Sequence, residues 1–247
     1  MHATDELRSG ARRRAPGALA LVLAGRAQRQ AFAPYLWTLA AEREGSALDR
    51  IGSASTLLRA LTAARQLVEA DAIHVPIETE QSPAMEALCR LAATFRDFEL
   101  AAVIPGPVEL GTLRGLSDPD DRTDAFEDLA RAVLEAGCDV LMVREAQPDP
   151  GTESSFRAMA KLSGFFGSRT LVLGPPAAIF AVDSGFDGLD AGAEGPVARG
   201  VPVAAATADT ALPAAALVTS SWLIPPRATD VEWLRRVARQ IRTDGRT

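Results

Sequence analysis

The stretch AGCDVLMVREAQPDP (136–150) ends a run of apolar residues on Arg144 and Glu145. Adjacent residues on an extended strand point to opposite faces, so one of this pair can face a site while the other faces a packing neighbour. An arginine there offers a planar, permanently charged fork that matches a carboxylate, and a glutamate can take up or release a proton. The alternative is a structural clasp to a neighbouring loop. Glu78 and Glu80 sit two residues apart in IETE after another apolar run. That spacing predicts two carboxylates on one side, able to bind a cation or to hold different proton affinities. Arg26 and Arg29 follow the first apolar run and offer two guanidiniums to a polycarboxylate, or simply a solvated helix start. Glu109 lies in GPVEL (106–110), where Gly106 permits close approach of backbone to a ligand. Asp190, Thr207 and Ser220 fall at the ends of later apolar runs and are candidates by position alone.

Metal and triad chemistry find less to work with. The two cysteines, Cys89 and Cys138, and the two histidines, His2 and His74, do not form a ligand spacing for zinc, and no metal is expected. No Ser-His-Asp set can be assembled. Lys161 is the single lysine, which leaves one candidate for a Schiff base. Two cysteines fit a reducing compartment better than a disulfide framework, so a cytoplasmic location is expected. A net charge of −6 argues against nucleic acid as the main partner, because a phosphate-binding face needs a basic excess. No apolar run approaches a membrane span. The start of the chain, with a basic stretch followed by ALALVLAG, mimics a secretory signal, yet its apolar part is short and also reads as a buried strand.

The elements that must position these residues alternate. Residues 1–16 are basic and aperiodic and read as a disordered arm. Residues 17–247 read as a single domain. Apolar runs at 18–24, 72–77, 100–106, 139–143, 170–174, 186–192, 201–207 and 215–221 predict eight strands. Helical spacing predicts helices over 29–45, 53–70, 82–98, a stretch ending at Gly137 with Asp124 as a possible cap, 153–166, a short helix in PAAIFAVDSG, and a terminal helix with the stripe Val231, Leu234, Val237 and Ile241. Eight strands alternating with helices over 247 residues is the pattern of a compact (β/α)8 TIM barrel. The strands are apolar throughout, as parallel strands buried on both faces are. An open doubly wound sheet is the other arrangement, but no GxGxxG follows a strand to support a dinucleotide.

Several segments, in order, resemble the uroporphyrinogen decarboxylase-like family. These are AVIPGPVELGTLRG (102–115), DAFEDLARAVLEAGCDVLMVREAQPD (124–149), FDGLDAG (186–192) and ALVTSSWLIPPRATDVEWLRRVARQIR (216–242). The resemblance spans about residues 70–242. It implies a barrel of the uroporphyrinogen decarboxylase and cobalamin-independent methionine synthase type, with its site at the C-terminal ends of the strands. It further implies a cofactor-independent decarboxylase, a lyase, acting on a porphyrin-related or smaller carboxylic acid, and a homodimer. On that reading Arg26, Arg29 and Arg144 hold carboxylates, Glu78 or Glu145 handles protons, and Glu80, Glu109, Asp190, Thr207 and Ser220 line the ligand. The family's Arg-Gln-Ala-Gly-Arg segment is replaced by AGRAQRQAFAPYL, its later-strand tyrosine has no match, and its C-terminal histidine is absent. A non-catalytic ligand-binding or complex subunit, and a methyltransferase of the same superfamily, are the other two readings.

Overall fold

The computed structural model describes residues 15–24, 31–45, 52–145, 152–173, 179–182, 217–218 and 227–244. Within them the chain is an α/β fold built on a parallel sheet. Strands β2 (Ala72–Pro76), β3 (Glu99–Pro105), β4 (Val140–Arg144) and β5 (Arg169–Leu173) run parallel and in sequence order. These are the second to fifth strands expected from the apolar runs. Their connections are helices: α4 (Pro83–Thr94) after β2, α5 (Pro107–Arg114) and α6 (Pro119–Glu135) after β3, and α7 (Thr152–Phe166) after β4. Helix α3 (Ala54–Val68) precedes β2 and packs on α4.

The helix ends follow from local chemistry. Ser53 caps α3 by accepting from the Thr56 N–H at 3.2 Å, and Ser82 caps α4 by accepting from the Met85 N–H at 3.2 Å. Pro83 stands at the first turn of α4, where its missing N–H costs nothing. The cap of α6 is Asp118, whose Oδ1 accepts from the Asp120 N–H, so Asp124 is not a cap but lies inside the helix. Gly137, at φ +94°, takes the left-handed conformation that lets the chain leave α6 and enter β4.

Two expected elements are corrected. Residues 18–24 are not a strand: Ala18–Leu23 is a helix, α1. Alternating Ala and Leu are strong helix formers with only one β-branched residue among them, and the buried run carried no strand preference of its own. The first strand is instead the short β1 (Ala31–Phe32), inside the segment expected to be helical, with α2 (Trp37–Arg43) after it. The PAAIFAVDSG segment is not a short helix: Ile179–Val182 is a strand, β6, antiparallel to β5. Its Ile-Phe-Ala-Val run has the β-branched and aromatic content that strands favour. Of the later apolar runs, 215–221 contains β7 (Leu217–Val218), which pairs parallel with β1. The sixth and seventh expected strands, at 186–192 and 201–207, and the arm at 1–14 lie outside the described residues.

The sheet has two different faces. Ile73, Val75, Leu100, Ala102, Leu141 and Val143 are buried on one. On that face the Thr170 Oγ1 donates to Ser163 Oγ of α7 at 2.7 Å, so it is the helix-covered side. Ala72, His74, Val103, Met142, Arg144 and Leu171 share the other, as the register requires. The segment after β1 packs on this second face. Tyr35, just past β1, sends its hydroxyl to Met142 Sδ on β4 at 3.8 Å. Strands β1 and β7 form a sheet of their own, which this contact ties to β4. Phe32 is fastened to the head of β2 twice: the Asp71 N–H donates to its carbonyl at 2.8 Å and its own N–H donates to Asp71 Oδ2 at 2.8 Å. Helix α1 touches both β1 and β5, and its start meets Glu99 at the N-terminal end of β3. The closing helix α8 (Val231–Asp244), entered through a 3₁₀ turn at Ala228–Asp230, buries Leu234, Val237 and Ile241 and packs on α3 and β1.

Candidate functional site

The C-terminal ends of β2, β3 and β4 bring three of the sequence-predicted residues together. The Arg144 guanidinium lies with Nε 2.9 Å from Glu109 Oε1 and Nη2 3.1 Å from Glu78 Oε1. Arg144 ends β4, Glu109 is in the first turn of α5 after β3, and Glu78 follows β2. Exposure falls steeply across the group: the side chains of Glu78, Glu109 and Arg144 are 58%, 26% and 13% accessible. The triad therefore has a solvent side and a buried side. Burial pushes the Glu109 carboxyl above the usual carboxylate range; Arg144 pulls it down and the Glu78 charge adds to the rise. Its Oε2 is buried and accepts no hydrogen bond. A carboxyl in that state holds a proton more readily than a surface glutamate and has an oxygen unspent.

The neighbouring Glu145 does something else. Its side chain turns to the opposite face from Arg144, is buried at 1% exposure, and accepts from the Val108 N–H at 2.9 Å and the Glu109 N–H at 3.4 Å. It is the N-terminal cap of α5, supplied from 37 residues along the chain. This explains the GPVEL sequence. Gly106 is the N-cap residue and has no side chain to cap with. A Cβ there would stand 2.6 Å from Glu145 Oε2, so the position requires glycine for space. Pro107 brings no N–H to satisfy. What reads in the sequence as a turn is thus a helix start, held to β4 twice more by the Gly106 N–H on the Arg144 carbonyl at 2.7 Å and by the Arg144–Glu109 ion pair. Of the Arg144–Glu145 pair, the arginine faces the strand-end cluster and the glutamate is the clasp. Glu145 positions Glu109 by accepting its N–H.

Glu80 does not join Glu78. Its carboxylate meets Arg114 Nη2, at the end of α5, at 3.4 Å. The two glutamates lie in a turn rather than on a strand, so the alternation that would have put them on one side does not apply. Glu80 also lines a cleft of about 460 Å³ between the starts of α3 and α4, with Ser53, Ser55, Ser82, Glu86 and Arg90. Arg90 is engaged within it, donating to Ser55 Oγ at 2.7 Å and pairing with Glu86. Arg26, Arg29, Asp190, Thr207 and Ser220 lie outside the described residues.

Sequence reasoning passed over an aromatic layer one step deeper on the face that Arg144 shares. Tyr35 stacks on Trp37 and on His74 with ring centroids 4.8 and 4.5 Å apart. His74 is buried in β2, and neither ring nitrogen makes a well-formed hydrogen bond. Burial pushes the imidazole down to about 3, with the Pro34 carbonyl pulling weakly the other way, so it is neutral at ordinary pH. Burial also raises the Tyr35 hydroxyl, against a smaller pull from Arg144. The signal available was the pairing of the sole tyrosine with a histidine set inside an apolar run.

No family model matches this chain, and no curated protein matches it. The site must therefore be argued from its own chemistry. Among the described residues no group of three His, Cys, Asp or Glu is arranged to hold a metal, and no helix is long and apolar enough to cross a membrane. Cys138 is buried ahead of β4, at the other end of the sheet from Arg144, with its thiol pushed up to about 12 by burial. Cys89 is exposed on α4.

Proposed function

We propose that the chain is a (β/α)8 barrel of the uroporphyrinogen decarboxylase-like type that binds a carboxylic acid at the C-terminal mouth and removes carbon dioxide from it without a cofactor. The observation that carries this reading is the Arg144 cluster. A guanidinium at a strand end, open on one side, is held by one half-buried glutamate and one exposed glutamate. Parallel α/β folds place their ligands at this end of the strands. The barrel itself is supported by the parallel pairing of β7 with β1, by the fastening of β1 to β2 through Asp71, and by the reach of Tyr35 to Met142.

In the proposed reaction the substrate carboxylate displaces Glu78, the more exposed partner, and takes its place on Arg144. The bond between the carboxylate carbon and its neighbour breaks, carbon dioxide leaves, and the electron pair stays on the remaining carbon. A proton must then be delivered to that carbon. Glu109 is suited to this, because burial favours its protonated form and its Oε2 has no other bond. Glu78 can return the proton from solvent. A second reading, a binding protein without turnover, is favoured by the fact that Arg144 already carries two carboxylate partners and so binds a third only by exchange.

A thermal-shift panel of mono-, di- and tricarboxylic acids, porphyrin-type acids included, tests the shared part of both readings. Binding to the folded chain raises its apparent stability. At least one acid should stabilise the wild type and fail to stabilise Arg144→Gln. A shift that survives in Arg144→Gln, or no shift from any acid, overturns the proposal. Carbon dioxide release from the binding acid, reduced in Glu109→Gln, separates the enzyme from the binding protein.

A further inference from the structure

The turn between β2 and α4 carries two carboxylates, and each answers a different guanidinium. Glu78 meets Arg144 Nη2 at 3.1 Å, and Glu80 meets Arg114 Nη2 at 3.4 Å. In both pairs the glutamate is the more open partner: Glu80 is 40% accessible against 27% for Arg114, as Glu78 is more open than Arg144. Arg114 reaches both Glu80 oxygens with the same nitrogen, at 3.4 and 3.5 Å, and so does not form the two-pronged grip in which arginine holds a carboxylate best. Helix α5 is the common frame: Glu109 in its first turn holds Arg144, and Arg114 stands in its last turn. The helix rise between those two positions is about 7.5 Å. The turn is fixed at its ends and open between them. Ile77 is buried and donates its N–H to the Val103 carbonyl at 2.8 Å, and Ser82, the cap of α4, donates its Oγ–H to the Thr79 carbonyl at 2.8 Å. Residues 78–81 are exposed. Glu80 also lines the cleft of about 460 Å³ at the starts of α3 and α4, where Arg90 presents another guanidinium.

We propose that this site takes a dicarboxylic acid, with one carboxylate on Arg144 in place of Glu78 and the other on Arg114 in place of Glu80. The proposal rests on the reading of Arg144 as the ligand's anchor and names the class of acid. Glu78 and Glu80 are stand-ins for the ligand's two carboxylates. They lie two positions apart, at most about 7 Å between Cα atoms, so the acid they imitate is short. On exchange Glu78 turns to solvent, and Glu80 turns into the cleft toward Arg90. The charge balance at the guanidiniums is kept, because two carboxylates leave and two arrive.

Calorimetric titration of the full chain with straight-chain dicarboxylates from succinate to suberate, each against the monocarboxylate of equal length, reads the ratio of the two affinities. In the wild type at least one dicarboxylate should bind about tenfold tighter than its monocarboxylate, the worth of one added charge-assisted contact. In Arg114→Gln that ratio should fall to near one. In Glu80→Gln, which removes the competing charge and leaves the guanidinium in place, it should rise. Acids that bind with no preference for two carboxylates overturn the proposal and leave the Arg144 reading standing. A preference that survives in Arg114→Gln, or that falls in Glu80→Gln, overturns it as well. If no acid of either kind binds, the proposal and the Arg144 reading fail together.

Discussion

The two ends of the parallel sheet use the same device for different purposes. At the N-terminal end Glu99 caps α1 over Gly17, and at the C-terminal end Glu145 caps α5 over Gly106. In both cases a helix without a capping side chain of its own borrows a carboxylate from a distant strand, and a glycine makes room for it. The difference lies in the surroundings. Glu99 sits beside the acidic Asp139 and Asp71, and its helix contributes only apolar residues. Glu145 is followed around by charge of both signs: the residue before it is Arg144, and the helix it caps delivers Glu109 back to that arginine. One cap closes the fold. The other aims a charged group, and the proposed function rests on that contrast.

Substitutions can break the comparison, beginning with the largest expected effect. Glu99→Ala leaves two buried N–H groups of α1 without partners, and an unsatisfied buried group costs about 1–3 kcal/mol. Urea denaturation should show the sum, a loss of roughly 2–6 kcal/mol; a loss below that of an ordinary surface substitution would mean that α1 is not held by its cap. Gly106→Ala pushes a methyl into the Glu145 carboxylate. It should cost about 1–3 kcal/mol, as overpacking does, and should raise amide exchange at Val108 and Glu109. A neutral result there would show that the cap moves aside freely.

The aromatic layer between the two ends gives a prediction in pH. His74 is held near 3 in the folded chain and returns to 6.5 on unfolding, so the unfolded chain binds more protons between those values. The stability contributed by neutral His74 is complete above about 6.5 and is lost as the pH falls toward 3. One proton difference is worth about 1.4 kcal/mol per pH unit. Glu99 acts in the opposite direction between 4.5 and about 7, where the folded chain binds the extra proton. In His74→Phe the acid limb of the stability profile should flatten, leaving the Glu99 slope exposed between pH 5 and 6.5. An unchanged acid limb would show that His74 is not the buried neutral group described.

How much of this was legible beforehand depended on the range of the interactions. Strands β2 to β5 and helices α3, α4 and α7 rest on local pattern, and the apolar runs and helical spacing announced them. The divergence of Arg144 and Glu145 also followed from strand alternation, though not which of them faced the cluster. Helix α1 was misread because Ala18–Leu23 is apolar on every side; a buried strand and a buried helix look alike at that length. The remote caps could not be read at all, since they join residues 37 and 80 positions apart. Gly106 and Gly17 were the visible traces of them. The pairing of Glu78 and Glu80 failed because the turn after β2 breaks the alternation that the spacing assumed.

The smallest expected effect on stability belongs to Arg144→Ala, and it tests the central contrast most directly. Ion pairs that are partly open to solvent contribute at most about 1 kcal/mol. If Arg144 is held for a ligand and Glu99 for the fold, urea denaturation of Arg144→Ala should fall within about 1 kcal/mol of the wild type. A loss of about 3 kcal/mol or more, the cost of breaking a buried pair, would make Arg144 a structural keystone and contradict the assignment of the C-terminal cluster as the site.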